Sequence, residues 1–267
     1  GRTGDDISRE RANAGKLLAR ALYAFHVDGI AFRLVSLTSS NKKSGIPPEG
    51  EAVFVTEETA ERLKEALDAV RAAVTDEYEF SDAGIRFELE PYGVPTERQA
   101  VYAASAEESL ELTELLYLLP YGVFGRFLQL EGLPYASANL GGIETTDDAV
   151  VIRYAARSPF ESCMKEAEQT AGLLCERLNA EIVGKDDYYG YRYRADSPLR
   201  DTMDRVFLEQ YGRPLAHVAA HGGNECGAFA HMFPDMDIVT SGAIYAKHHT
   251  PEEYLDLESF DRSIRFL

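Results

Sequence analysis

Basic residues are scarce in this chain. Its 267 residues hold 27 Lys and Arg against 45 Asp and Glu, a formal charge of -18. Binding to nucleic acid or an anionic membrane draws on clustered Lys and Arg, so a surface this acidic argues against both as partners. Cysteine is scarce as well. Cys163, Cys175 and Cys226 make an odd count with no C-x-x-C spacing, which suggests neither a disulfide framework nor a zinc knuckle. That usage fits a reducing compartment and points to a cytoplasmic protein. No stretch approaches the roughly 20 apolar residues of a membrane span, and no signal-peptide pattern precedes the first helix. An initiator methionine is also missing: Gly1-Arg2-Thr3-Gly4 runs straight into a helical pattern, as expected of a sequence that begins partway through a longer protein.

What is present is an apolar fraction of 45%, enough for one large domain or two ordinary ones. Periodicity predicts helices over residues 5–26, 58–74, 110–119 and 160–178, and strands over 30–37, 51–56, 85–91, 137–144, 149–157 and 181–184. Thr-Asp-Asp between the fourth and fifth of these strands reads as a hairpin turn, and residues 120–134 read as a glycine- and aromatic-rich connection. The order is α-β-β-α-β twice, a doubled split β-α-β layout with an antiparallel sheet. A tyrosine-rich crossing segment, residues 186–196, follows. The pattern then changes to alternating helices (198–211, 225–232, 257–266) and strands (215–220, 237–241). The expected class is therefore α/β, with an α+β unit over residues 1–195 and an α/β segment over 196–267. A tail of roughly 70 residues is too short for a free-standing parallel α/β domain, so it calls for strands from elsewhere.

Two patches carry chemistry. His221-Gly222-Gly223-Asn224-Glu225-Cys226-Gly227 lies where a strand becomes a helix, and its glycines would let a ligand approach the backbone beside a helix N-terminus. A plain strand-to-helix turn explains the same residues. Lys247-His248-His249-Thr250-Pro251-Glu252-Glu253 holds a turn histidine, His249 or His248, that could offer an imidazole to a divalent metal. Thr250, Pro251 and Glu253 also fit a capping box. Nothing else supplies the three or more ligands and the base that a hydrolytic metal site needs. Cys226 beside His221 lacks a third, orienting residue and reads as a small apolar side chain. Arg157 closes an apolar strand ahead of Ser158-Pro159; it is either a surface arginine or a carboxylate grip. His26, His217 and His231 stand alone on helix or strand faces and read as structural.

Taken in order along the chain, further marks join these. Gly4-Asp5-Asp6-Ile7 leads into Ala12-Asn13-Ala14-Gly15-Lys16-Leu17-Leu18-Ala19-Arg20. Then come Ile46-Pro47, Ser137-x-Asn139, Arg157-Ser158, His221-Gly222-Gly223-x-Glu225-Cys226-Gly227 and His249-Thr250-Pro251-Glu252-Glu253. In order and spacing they resemble the aminoacyl-histidine dipeptidases, two-zinc metallopeptidases whose catalytic α/β domain is interrupted by a lid. The resemblance implies that residues 1–195 correspond to the lid and residues 196–267 to the returning C-terminal piece of the catalytic domain. It implies hydrolysis of a dipeptide by a water bridging two zinc ions, with the general-base glutamate and most ligands in an N-terminal half outside this chain. By position, His249 matches a zinc ligand, Gly223 a backbone contact to substrate and Arg157 a substrate-carboxylate anchor. Two positions depart from the pattern: Arg2 stands where the family has a histidine, and Ser44 where it has a substrate-facing asparagine. Possible partners are thus a dipeptide substrate and a second copy of the chain, paired through the lid. A non-catalytic relative using its lid as an interaction module is the alternative.

Overall fold

The computed structural model describes residues 2–39, 45–91, 93, 102–130, 132–186, 189–217, 225–247 and 252–267. The predicted first helix is two pieces. A short strand β1 (Arg2–Thr3) runs into a 3-10 turn (Gly4–Arg9), and α1 occupies Ala14–Val27. Asn13 makes the break. Its extended backbone and its side chain, which accepts from the Lys16 amide, cap α1 and prevent continuation from upstream. From there α1 buries Leu17, Ala19, Ala21, Leu22 and Phe25.

β2 (Arg33–Ser39) pairs antiparallel with β4 (Gly50–Val55), and β3 (Gly45–Ile46) pairs antiparallel with β1. α2 (Ala60–Glu77), capped by Thr59, buries Leu63, Ala66, Leu67, Val70 and Val74. α3 (Ala106–Leu118) opens on a reciprocal capping box between Ser105 and Glu108. Next come β5 (Gly122–Phe127), β6 (Leu133–Thr145) and β7 (Val150–Arg157), an antiparallel sheet in that order, and α4 (Glu161–Arg177). The hairpin predicted between β6 and β7 forms, with the Thr146 amide donating to the Ala149 carbonyl at 2.8 Å. The tail carries α5 (Pro198–Tyr211), α6 (Cys226–Met232), a small pair β8 (Tyr245–Ala246) and β9 (Tyr254–Leu255), and α7 (Leu257–Phe266).

The mixed helix-and-sheet class is as expected, but the sheet is divided. Hydroxyls join its two parts: Thr145 Oγ1 accepts from the Leu37 amide at 2.8 Å and donates to the Leu37 carbonyl at 2.9 Å, and Ser39 Oγ accepts from the Ile143 amide at 3.0 Å. One core spans both parts, in which α1, α2 and α3 bury Leu37, Leu116, Leu140 and Ile143 against β2 and β6. Burying a leucine of this kind contributes about 1.5–3 kcal/mol.

Several predicted strands do not form, and residues 120–134 hold β5 where a connection was expected. Residues 85–91 alternate as predicted, yet Ile85, Phe87 and Leu89 reach the core by side-chain packing alone, with Arg71 donating to the Phe87 carbonyl at 2.7 Å. Residues 181–184 run exposed after α4, which removes the last strand of the second repeat. In the tail, residues 215–217 and 237–241 are not strands; residues 218–220 lie outside the described set. Apolar alternation makes a strand only beside a partner with free backbone groups. None of the described elements ladders with these stretches.

The tail buries little of itself. α5 has no fully buried residue, and on α7 Leu257, Phe260, Ile264 and Leu267 remain 74%, 48%, 60% and 85% exposed. Asp237 is spent on a cap: its carboxylate accepts from the Leu199 amide at 2.8 Å and from Ser197 Oγ at 2.8 Å, holding the start of α5. Among the described residues no helix is long and apolar enough to cross a membrane.

Candidate functional site

Marks that lie far apart in sequence meet in two places. The first is built on Asn13. Beyond capping α1, its amide donates to the Leu140 carbonyl at 2.8 Å and to Asn139 Oδ1 at 3.2 Å. Asn139 in turn donates from Nδ2 to the Gly45 carbonyl at 2.8 Å. The Ala14 amide donates to the Pro47 carbonyl at 3.1 Å. Asn13 and Asn139 are almost wholly buried, so each bond is made where water does not compete. The relay fixes β3 from behind while β1 pairs with it in front, Arg2 opposite Ile46 and Thr3 opposite Gly45. Three of the sequence marks (Asn13, Ile46-Pro47, Asn139) are thereby one structural unit.

The second place is built on Arg157, the last residue of β7, half-buried and opposite Ser137 in register. The chain turns there through Ser158-Pro159 into α4. Gly190 of the crossing segment lies against this turn: a Cβ on it would stand 3.0 Å from the Ser158 carbonyl oxygen and 3.1 Å from Pro159 Cα. On the other side Gly227, buried in α6, faces the Tyr189 carbonyl so closely that a Cβ would overlap it. His231, one turn further along α6, stacks its ring on Tyr189 at 3.9 Å and 13°. The arginine mark and the end of the glycine-rich mark are thus layered on opposite sides of one strand of chain.

Of the predicted site residues, Arg157 is in this second cluster. Ser44, Gly223 and His249 lie outside the described residues, as do His221 and His248. Glu252 and Glu253 are described, and they correct the capping-box reading: the chain passes from them into β9, and α7 starts later, capped by Asp256. All three of the solitary histidines have partners, His26 through a tilted ring contact with Tyr23 at 5.9 Å. His217 Nε2 lies 2.6 Å from Asp204 Oδ1 of α5, and His231 holds the Tyr189 stack. Cys226 Sγ accepts from Thr240 Oγ1 at 3.7 Å.

Lys16 and Asp237 are among the charged groups shifted from their ordinary range. Lys16 donates to the Leu116, Tyr117 and Leu119 carbonyls at 2.5, 2.7 and 2.8 Å, closing the C-terminal end of α3, and burial pulls its ammonium down to about 8. The Asp237 carboxyl is held below the usual carboxylate range, first by the Leu199 amide and then by Ser197. Both serve helix ends and lie in neither cluster. Sequence reasoning passed over Asn13 as a cap and Tyr189 as a contact; an asparagine three residues before Lys16 at the start of an apolar helical period was the available signal for the first. Among the described residues, no group of three or more His, Cys, Asp or Glu could hold a metal ion. The described residues therefore do not fit a two-zinc centre, and no catalytic step follows from them.

No family model matches the chain. It is 26% identical over 260 residues to the cytosol non-specific dipeptidase of Escherichia coli (strain K12), an alignment covering 97% of this chain and 52% of that protein. Its fold matches the crystal structure of aminoacylhistidine dipeptidase from Vibrio alginolyticus with a TM-score of 0.81 and 25% identity, over 98% of this chain and 52% of the other. The chain spans about half the length of the relatives it matches. Likeness in sequence and in fold extends over nearly every residue of this chain and agrees with the ordered motif marks, so the chain resembles the dipeptidases in both.

Proposed function

We propose that this chain is the lid and returning C-terminal segment of a cytoplasmic zinc dipeptidase, acting on Xaa-His type dipeptides once an N-terminal half is present. The observation that carries the reading is the extent of the likeness: 97–98% of the chain against about half of each dipeptidase. The open apolar face of α7 supports it, because Leu257, Phe260, Ile264 and Leu267 are the kind of surface a further piece of catalytic domain would cover. In that enzyme His249 is one ligand of the two-zinc centre. Gly223 offers its backbone to the substrate, Arg157 grips the substrate carboxylate and Ser44 meets substrate oxygen. The general base and the other ligands come from the N-terminal half. The lid is also the surface through which two copies pair.

The deciding experiment joins this chain to an upstream half carrying the remaining ligands and a glutamate base, supplies zinc, and follows hydrolysis of Xaa-His and other dipeptides. Turnover lost on His249→Ala supports the reading; no turnover of any dipeptide sinks it. Arg2 and Ser44 favour a second reading, a non-catalytic relative whose lid is an interaction module. Ser44 keeps a hydroxyl that can hydrogen-bond, though with shorter reach than an amide. An upstream coding sequence without a His-x-Asp motif and a Glu-Glu pair would decide for that module.

A further inference from the structure

Four consecutive residues of the crossing segment bind alternately to the two parts of the chain. Tyr189 faces α6, through its carbonyl against Gly227 and its ring against His231. Gly190 faces the other way, against Ser158 and Pro159. Tyr191 turns back to the tail, where its hydroxyl lies 2.8 Å from Thr240 Oγ1, itself bonded to Cys226 Sγ of α6. Arg192 returns to the sheet side, its guanidinium 4.9 Å from the Phe160 ring centroid. Phe160 packs in turn on Tyr135 of β6 and Phe127 of β5.

We infer that residues 189–192 are a positioning strap: they set the end of β7 that carries Arg157 against the start of α6, and so fix the spacing between the arginine and Gly227. Two glycines make the fit. At Gly227 no side-chain carbon fits against the Tyr189 carbonyl, and at Gly190 one would fit only if Ser158 and Pro159 gave way by a few tenths of an ångström, so the strap holds one depth and one register. Polar contacts and rings then lock the direction of the chain. The local geometry needs no dipeptidase assignment; its significance for substrate rests on the reading of Arg157 and Gly223 given above.

Limited trypsin digestion of this 267-residue chain tests it, because Arg192 lies inside the strap and is cut only when the strap lifts. Peptides released after Arg192 are quantified by mass spectrometry, with cleavage after Arg126 in β5 as the internal reference. Gly227→Ala and Gly190→Ala each insert a methyl into a closed contact, and cleavage after Arg192 is expected to rise tenfold or more while the reference rate holds. Tyr191→Phe removes one hydroxyl and should raise it about fivefold, the effect of losing one ordinary hydrogen bond. This variant cannot fail for lack of room, so it protects the test from a glycine variant that misfolds. Unchanged cleavage after Arg192 in all three variants overturns the strap. So does a rise that the reference site shares, since that would be general loosening. Loss or presence of dipeptide hydrolysis in the joined protein leaves this result untouched, so the two readings fail separately.

Discussion

Replacing Asn13 separates what the helix cap does from what the buried amide relay does. Asn13→Ala removes the cap of α1, at about 1 kcal/mol, and strands two buried acceptors, the Leu140 carbonyl and Asn139 Oδ1. Each orphaned acceptor costs about 1–3 kcal/mol, so at the low end the loss is about 3 kcal/mol. In a chain of this size that corresponds to a fall of roughly 6–12 °C in Tm. Asn13→Asp is the more telling change. It keeps an oxygen for the Lys16 amide and puts a negative charge at a helix N-terminus, both favourable for a cap. Its second oxygen, however, points at two acceptors that need a donor. Asn139 cannot rotate to help, because its own Nδ2 is committed to the Gly45 carbonyl. The aspartate variant should therefore be destabilised at pH 7 about as much as the alanine variant, and should recover in acid, where a protonated carboxyl can donate. Urea midpoints at pH 7 and pH 4 measure both. An aspartate variant as stable as the parent at pH 7 would mean that the cap is everything and the relay nothing. A double-mutant cycle with Asn139→Ala should show coupling, since the two residues share a bond.

Other perturbations follow from the same geometry. Asp237 has a depressed carboxyl, so its contribution is present above the ordinary carboxylate range and fades as pH falls through its folded value. Asp237→Asn should flatten that acid limb in pH-dependent urea melts and leave stability at pH 8 to pH 10 parallel to the parent. Lys16 runs the other way: with a folded pKa of about 8 against 10.5, the unfolded chain holds the proton longer, so the parent gains stability relative to Lys16→Met as pH rises through that interval. The Arg20–Glu77 pair is bidentate at 2.5 and 2.7 Å but lies at the surface, so Glu77→Gln should cost about 1 kcal/mol or less, and less again in high salt. Zinc titration of the chain by calorimetry should give weak binding that weakens further in His249→Ala; two tight zinc ions would refute the half-site reading.

How far the fold could be read from sequence turned on whether local signals had partners. The hairpin β6–β7 and helices α1 and α2 carried strong periodicity, and their apolar faces found one another, so tertiary packing agreed with local pattern. Residues 85–91 carried alternation and residues 237–241 a short apolar step at Ile238-Val239, and both failed as strands, because an apolar pattern reports which side chains turn inward and not where the backbone bonds go. Phe87 reaches the core while its carbonyl takes an arginine; Asp237 ends as a helix cap. β5 failed in the opposite sense. Gly122 and Gly125 made it read as a connection, yet β6 offers it a long edge to pair with. The candidate site divides along the same line. Its marks could be listed from sequence, and Arg157 was found that way, but the list could not say that Asn13 and Asn139 share a hydrogen bond across 126 positions or that Gly190 separates Pro159 from Gly227. Those relations are set by packing between elements, where the information is shape. Ordered motifs locate a family resemblance well because order survives in sequence. The relay and the strap make those motifs one arrangement, and both are built from residues whose own chemistry, an asparagine amide or a bare glycine, gives no sign of it in isolation.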